Sequence, residues 1–161
     1  MGIFVNPNNQ AFQVALNSEI YVDKTGLLEY TNRVLNTKQA LICNSRPRRF
    51  GKTTTADMLT SYYSRGCDSE ALFAGKKISE IELFRKHLNQ YDVIHFDVQW
   101  CMMDCGSAGD TVSYIVKNVL SELKEEFPEF DFSEVTSLGG ALARIAGMTG
   151  RKFIIICIWH F

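Results

Sequence analysis

The residues most able to do chemistry in this sequence end in the tripeptide Gly51-Lys52-Thr53. An apolar run, Ala40-Leu41-Ile42-Cys43, lies shortly before the tripeptide, and a pattern typical of a helix follows it. Between a strand and a helix, a glycine lets the backbone approach a ligand, while the first N–H groups of the helix concentrate partial positive charge at one point. This arrangement favours a phosphate group as its ligand.

Each residue near the tripeptide has its own role in such a site. The ammonium group of Lys52 can reach the β- and γ-phosphates of a nucleotide, and the hydroxyl of Thr53 can bind Mg²⁺. Thr54, in the first turn of the helix, can contact the α-phosphate. The full Walker A pattern has a glycine where this sequence has Arg46, so the match is incomplete. The simpler alternative is that Gly51 and Lys52 begin an ordinary helix.

The sequence therefore predicts a Walker A-type loop with ATP and Mg²⁺ as its ligands. We expect the metal at Thr53. Asp97, which ends a later apolar run in the manner of a Walker B acid, is a second candidate for the metal, although an ordinary acid at the end of a strand explains it more simply. The predicted nucleotide-binding residues are Arg46, Pro47, Arg48, Arg49, Phe50, Gly51, Lys52, Thr53 and Thr54.

The basic residues of the loop also allow a different function. Arg46, Arg48 and Arg49 next to Phe50 form a basic and aromatic cluster of the kind that binds nucleic-acid phosphates and a stacked base. The formal net charge of −1 gives no electrostatic footprint for a charged polymer. The alternative function is a non-catalytic module that binds nucleic acid or a protein partner through loop 46–52.

The composition is that of a globular protein of one domain, with 161 residues of which 46% are hydrophobic and 22% charged. Five cysteines, an odd number, do not suggest a disulfide framework, and the first residues offer no apolar core of a secretion signal. The longest apolar run, at 153–159, is too short to span a bilayer. We therefore expect a cytoplasmic protein. The spacing of His95, Cys101 and Cys105 matches no common zinc site.

Apolar runs that alternate with helical patterns predict an α/β fold, in which helices flank a parallel sheet as in P-loop nucleotide-binding proteins. The predicted strands cover residues 39–44, 92–98 and 153–158. Predicted helices begin at Asp23, run through 53–63, 79–88 and 133–146, and include a strongly amphipathic one that follows Asp110 as its N-cap and ends before Pro128. Residues 1–18 show no clear period and are expected to be an irregular lead-in.

Two segments together carry a resemblance to a known family: YVDKTGL at 21–27 and RPRRFGKT at 46–53. The pair closely resembles the signatures of the bacterial AAA-ATPase-like family, and the resemblance extends from about residue 10 to Ile158. It implies an ATP-binding P-loop domain related to AAA and STAND ATPases, fused in many relatives to a restriction-nuclease-like domain. Arg46 is then a family trait. The resemblance also implies that 23–25 approach the nucleotide, although a helix cap at Asp23 explains part of that pattern.

Relatives continue the last apolar strand into an Asp-Glu pair, whereas this sequence reads Trp159-His160-Phe161 and stops. On this resemblance, residues 1–161 are expected to be the N-terminal part of one P-loop domain, truncated at the C-terminus and without a second domain. Such a chain is expected to bind nucleotide without efficient hydrolysis. Because an incomplete parallel sheet leaves strand edges uncovered, the chain is also expected to self-associate.

Overall fold

The structure is a computed structural model that describes residues 2–47 and 49–159. Within these residues it contains eight α-helices, two 3₁₀ helices and two β-strands. The strands are β1 (Asp92–Asp97) and β2 (Phe153–Ile158). The α-helices are α1 (Gln10–Leu16), α2 (Gly26–Val34), α3 (Lys52–Tyr63), α4 (Glu70–Phe73), α5 (Phe84–His87), α6 (Val98–Cys105), α7 (Thr111–Glu126) and α8 (Leu138–Thr149). The 3₁₀ helices are Lys77–Glu80 and Ala108–Asp110.

The two strands pair in parallel, with Asp92 opposite Phe153 at one end and Asp97 opposite Ile158 at the other. On its second side, β1 forms a single antiparallel bridge between Ile94 and Val5. Among residues 2–47 and 49–159, β2 has no strand partner other than β1. One edge of this small sheet is therefore open.

Helices cover both faces of the sheet because successive side chains of a strand point to opposite sides. Val93 and Ile156 join a hydrophobic cluster with α1 to α5, in which α3 packs directly against both strands. Ile94 joins a second cluster with α6, α7 and α8. The predicted fold class, an α/β fold with a parallel sheet flanked by helices, is confirmed, and the arrangement is consistent with part of a P-loop-like fold.

Elements with a strong pattern lie close to their predicted places. Helix α3 begins at Lys52 and ends at Tyr63, one residue from the prediction at its start. Strands β1 and β2 match the last two predicted strands. Helix α7 follows Asp110, although the Asp110 side chain makes no capping hydrogen bond. Helix α2 begins at Gly26, three residues after Asp23, and the Asp23 carboxylate accepts a hydrogen bond from the N–H of Thr25.

The prediction of an irregular lead-in at 1–18 is wrong, because Gln10–Leu16 forms α1. The helix depends on tertiary contacts that have no signature in the local sequence. Phe12 is fully buried and stacks on Phe73, with ring centroids 5.2 Å apart, and it meets Tyr21 edge-on at 6.2 Å. One buried aromatic ring therefore holds a helix whose other residues are mostly exposed.

The predicted strand at 39–44 is also wrong. These residues form no helix or strand and are exposed, with Leu41 at 97% of its maximal accessibility. A strand satisfies its backbone groups by pairing with a neighbour. Within the described parts of the chain, 39–44 pairs with neither β1 nor β2, so its apolar composition alone does not produce a strand.

The remaining corrections concern helices. The single helix predicted at 79–88 is divided into the 3₁₀ helix Lys77–Glu80 and the short helix α5. Helix α8 begins at Leu138, later than the predicted start at 133, because the Ser137 hydroxyl caps it by accepting a hydrogen bond from the N–H of Gly140. Helices α4 and α6 were not predicted. No helix in the described residues is long and apolar enough to cross a membrane.

A buried ion pair fixes the starts of the two strands. Asp92 is fully buried at the first position of β1, and the Arg151 guanidinium, just before β2, binds both of its carboxylate oxygens, with Nε 2.7 Å from Oδ2. Arg151 also contacts Glu126 of α7 at 3.2 Å. Asn6 donates a further hydrogen bond to Asp92 at 2.8 Å. Removing Arg151 would leave a buried carboxylate without its main countercharge.

We predict that Arg151→Met lowers the free energy of unfolding by about 3 kcal/mol, because an unpaired buried charge costs far more than the pair contributes. Unfolding in urea, followed by circular dichroism, measures this loss. The control is Arg85→Met, which breaks an exposed pair with Glu70 and should change stability by less than about 1 kcal/mol. Equal effects of the two substitutions would contradict the role given to Arg151.

We also predict that the 161-residue chain self-associates through the open edge of β2. Ile155, on this strand, is 54% exposed, and Trp159 follows it with 50% exposure. Light scattering should show species larger than the monomer, and Ile155→Lys should shift them towards the monomer. Ile20→Lys is the control, because Ile20 is the same residue type and, at 84%, even more exposed, but lies outside the sheet. A monomeric wild-type chain would contradict the prediction.

Candidate functional site

The predicted phosphate loop makes a sharp turn through two residues in left-handed conformation. Arg49 has φ of 67° and Gly51 has φ of 73°, and these two residues stand on either side of Phe50. Glycine adopts this conformation readily, and at Gly51 it also allows α3 to begin immediately afterwards. The carbonyl of Gly51 accepts hydrogen bonds from the N–H and the hydroxyl of Thr55, at 3.0 and 2.8 Å, which fixes the first turn of α3.

Lys52 links the loop to the sheet. Its ammonium nitrogen lies 3.5 Å from the carbonyl oxygen of Trp159, directly after β2. Asp97, at the end of β1, is in register with Ile158. The loop therefore lies at the edge where both parallel strands have their carboxyl ends, which is the edge where open α/β sheets bind their ligands.

A pocket of about 410 Å³ opens beside the loop. This volume lies within the range of small-molecule binding sites. Its walls come from the start of α2, from the loop with the residues just before it and from the residue that begins the first 3₁₀ helix. The lining residues are Asp23, Lys24, Gly26, Leu27, Asn44, Arg46, Phe50, Thr55 and Lys77.

Positive charge dominates the lining of this pocket. Lys24, Arg46 and Lys77 are its cations, and Asp23 is its single carboxylate. Burial acts to raise the pKa of Asp23, but hydrogen bonds from the N–H groups of Lys77 and Thr25 outweigh burial and place the pKa below its usual value. Asp23 is thus ionised at neutral pH and occupied by backbone donors. The pocket keeps an excess of positive charge.

The described members of the predicted nucleotide-binding set lie in the loop and in the first turn of α3. Arg46 and Phe50 line the pocket, and Gly51 and Lys52 form the turn and the start of α3. Arg48 lies outside the described residues. The other members are Pro47, Arg49 and Thr53, which are exposed, and Thr54, which is partly buried. That these residues bind nucleotide stays a prediction, as does the assignment of Mg²⁺ to Thr53.

Sequence reasoning missed part of the pocket. Asn44 and Lys77 line it although neither was predicted as a site residue. The position of Lys77 follows from its backbone N–H, which donates to Asp23 Oδ2 at 3.0 Å across a long stretch of chain. No local pattern signals that contact. Lys24 had one signal, the YVDKT segment, which suggested an approach to the nucleotide by resemblance alone.

Asp97 has a structural task at the end of β1. Its Oδ1 accepts hydrogen bonds from the N–H of Gln99 at 2.9 Å and of Trp100 at 3.4 Å, which caps α6. This favours the simpler explanation of Asp97, although its position at the carboxyl edge keeps it near the candidate site. In the described residues, no group of three or more His, Cys, Asp or Glu side chains could hold a metal, and His95, Cys101 and Cys105 form no such group.

Asp57 is a further titratable group on α3 that the sequence did not single out. It lies one helical turn after Thr53 and is partly buried. Burial raises the pKa of its carboxyl group to about 6. Its charged form is therefore less favourable in the folded protein than that of an exposed aspartate.

The fold and the loop together define a class: an α/β protein with a glycine turn and a helix start at the carboxyl edge of parallel strands, next to a cationic pocket. Comparison with protein families identifies the particular family. The model of the AAA-ATPase-like family, described as predicted AAA-ATPase, matches residues 10–157, and the chain belongs to this family. No curated protein and no solved structure matched the chain.

We predict that Asp57→Asn stabilises the protein at neutral pH by an amount on the order of 1 kcal/mol, reduced from the full pKa effect because the side chain is partly exposed. The pKa of Asp57 in the folded protein, about 6, exceeds the ordinary value of 3.8. The stability that the protonated Asp57 contributes is therefore fully present below pH 3.8 and is lost as the pH rises through 6. The gain from Asn should disappear in acid.

Thermal unfolding across this pH range measures the effect of Asp57→Asn. Asp68→Asn, at an exposed position, serves as the control and should show no such pH-dependent gain. If Asp57→Asn gave the same change in stability at neutral and acid pH, the explanation from burial would be wrong.

Proposed function

We propose that the chain binds ATP together with Mg²⁺ through the Walker A-type loop at 46–54. The observation that carries the proposal is the left-handed turn at Gly51, which starts α3 at the edge of a pocket with three cations and one carboxylate. A helix start supplies N–H donors and partial positive charge for an anion. Membership of the AAA-ATPase-like family supports nucleotide as that anion.

In this proposal each group has a defined task. The N–H groups of the loop and of the first turn of α3 cradle the phosphates, and Lys52 releases its hydrogen bond with the Trp159 carbonyl to bind the β- and γ-phosphates. Thr53 supplies its hydroxyl to Mg²⁺, and Thr54 contacts the α-phosphate. Arg46 and Arg49 contribute further positive charge. We also propose that the YVDKT and RPRRFGKT segments are signatures of this family. We further propose that the protein is bacterial.

We propose that hydrolysis by the 161-residue chain is slow. A P-loop ATPase needs a second metal ligand and a group that orients the attacking water. Asp97, at the carboxyl end of β1, is the candidate for this ligand, but its Oδ1 accepts hydrogen bonds from the N–H groups at the start of α6. Asp97 therefore acts as a helix cap in this proposal, and Thr53 is the metal ligand.

We predict that Lys52→Ala abolishes measurable binding of Mg²⁺-ATP while the protein stays folded, because Lys52 directs its charge at phosphate and packs little surface. Isothermal titration calorimetry measures the binding, and thermal unfolding checks the fold. Lys117→Ala, at an exposed position on α7, is the matched control. Unchanged affinity in folded Lys52→Ala would overturn the proposal. Phosphate release near one per second, lost in Lys52→Ala, would overturn the proposal of slow hydrolysis.

The alternative function, binding of nucleic acid or a protein partner through loop 46–52, has one observation in its favour. Phe50 is 60% exposed beside the exposed Arg46 and Arg49, which is a surface on which a base can stack. Binding of single-stranded oligonucleotide that falls steeply with salt would favour this alternative. Mg²⁺-dependent binding of ATP favours the proposal above.

The cysteines bear on the cellular compartment of the protein. Cys43, Cys67, Cys101, Cys105 and Cys157 are all free thiols in the structure. This is what a reducing compartment favours, and we propose the cytoplasm.

A further inference from the structure

Lys24 makes a specific contact with the phosphate loop. Its ammonium nitrogen donates a hydrogen bond of 2.6 Å to the carbonyl oxygen of Phe50, the residue between the left-handed positions Arg49 and Gly51. The ammonium lies so close to the Cα of Gly51 that a Cβ there would collide with it. A cation from a distant part of the chain therefore lies at the centre of the loop.

The backbone that carries Lys24 is held from two directions. The Asp23 carboxylate accepts hydrogen bonds from the N–H groups of Thr25 and Lys77, at 2.8 and 3.0 Å. The carbonyl of Lys24 accepts a hydrogen bond of 3.0 Å from the N–H of Leu27, in the first turn of α2. These bonds fix the main chain at Lys24, so the side chain starts from a defined position within reach of the loop.

The contact leaves donor capacity for a ligand. Among residues 2–47 and 49–159, only the Phe50 carbonyl accepts a hydrogen bond from the Lys24 ammonium, which has three N–H donors. Lys24 is also part of the lining of the pocket of about 410 Å³. The neighbouring carboxylate, Asp23, accepts hydrogen bonds from backbone N–H groups and, in the described part of the chain, forms no ion pair with Lys24.

We propose that Lys24 is a second lysine ligand of the polyphosphate, which acts together with Lys52 from the opposite side of the loop. This inference rests on the proposed function and names a residue outside the Walker A-type loop. One N–H of Lys24 holds the Phe50 carbonyl, and the other two bind phosphate oxygens. Lys52 extends towards the carboxyl end of β2, whereas Lys24 comes from the start of α2, so the anion is bound between them.

Lys24 could instead act only as a loop clamp, a residue that holds the Phe50 carbonyl without binding phosphate. Neutral variants at position 24 separate the two roles. Lys24→Gln removes the charge but keeps an N–H donor, one bond closer to the backbone, and Lys24→Met removes both the charge and the donor. Lys24→Arg keeps both. The matched control is Lys117→Gln, on the helix α7 that packs into the other hydrophobic cluster. Thermal unfolding without ligand shows whether each variant is folded.

The affinities for Mg²⁺-ATP and for inorganic tripolyphosphate are measured by titration calorimetry at several salt concentrations. Lys24→Gln and Lys24→Met should both lower the affinity for each of the two ligands by about tenfold to a hundredfold, as expected for a lost hydrogen bond to a charged group. Their affinities should also fall less steeply with salt than that of the wild type, because one screened ion pair is gone. Lys24→Arg and Lys117→Gln should bind nearly as the wild type does.

The outcomes distinguish this inference from the proposed function. If the wild type binds Mg²⁺-ATP, Lys52→Ala does not, and folded Lys24→Gln matches the wild type, the phosphate role of Lys24 is overturned while the proposed function stands. If Lys24→Met lost affinity for the two ligands while Lys24→Gln kept it, Lys24 would be only a loop clamp, and the inference would likewise be overturned. If the wild type binds neither probe, both the inference and the proposed function fail.

Discussion

The parallel pairing of β1 with β2 is the constraint on which the rest of the structure depends. In this register, Val93 and Ile156 pack in the hydrophobic cluster with α3, and Ile94 packs in the cluster with α7. A slip of either strand by one residue would turn that strand's side chains to the wrong face. The ion pair between the buried Asp92 and the partly buried Arg151 opposes such a slip, because it joins the starts of both strands.

The candidate site follows from this pairing. With the two strands in parallel, their carboxyl ends lie at one edge, and α3, packed on both strands, begins at that same edge. The glycine turn at Gly51 is thereby aimed at the edge rather than away from it. The turn is also held from outside, since Lys24 binds the Phe50 carbonyl and Lys52 reaches the Trp159 carbonyl. The loop that carries the proposed chemistry is thus held by contacts with two separate parts of the chain, at Lys24 and at Trp159.

These contacts explain which features the sequence could predict. Helices α3 and α7 and both strands carry their own periodicity or apolar run, and the sequence located them closely. Helix α1 depends on the burial of one ring, Phe12, against Phe73, so its sequence looks irregular. Residues 39–44 have the composition of a strand but no partner among the described residues, which shows that composition does not supply pairing. Lys77 enters the pocket through a backbone hydrogen bond that no local pattern encodes.

The charges of the pocket bear on the kind of ligand that the site favours. Lys24, Arg46 and Lys77 surround a concave volume of about 410 Å³, and the one carboxylate there, Asp23, is directed at backbone N–H groups. Like charges brought together in this way repel one another unless an anion lies between them. The net charge of the whole chain is −1, so this excess of positive charge at the pocket is a local feature of the chain. A compact polyanion that fits the pocket and reaches the start of α3 would relieve the repulsion between these cations. The phosphates of the nucleotide proposed as the ligand are such an anion.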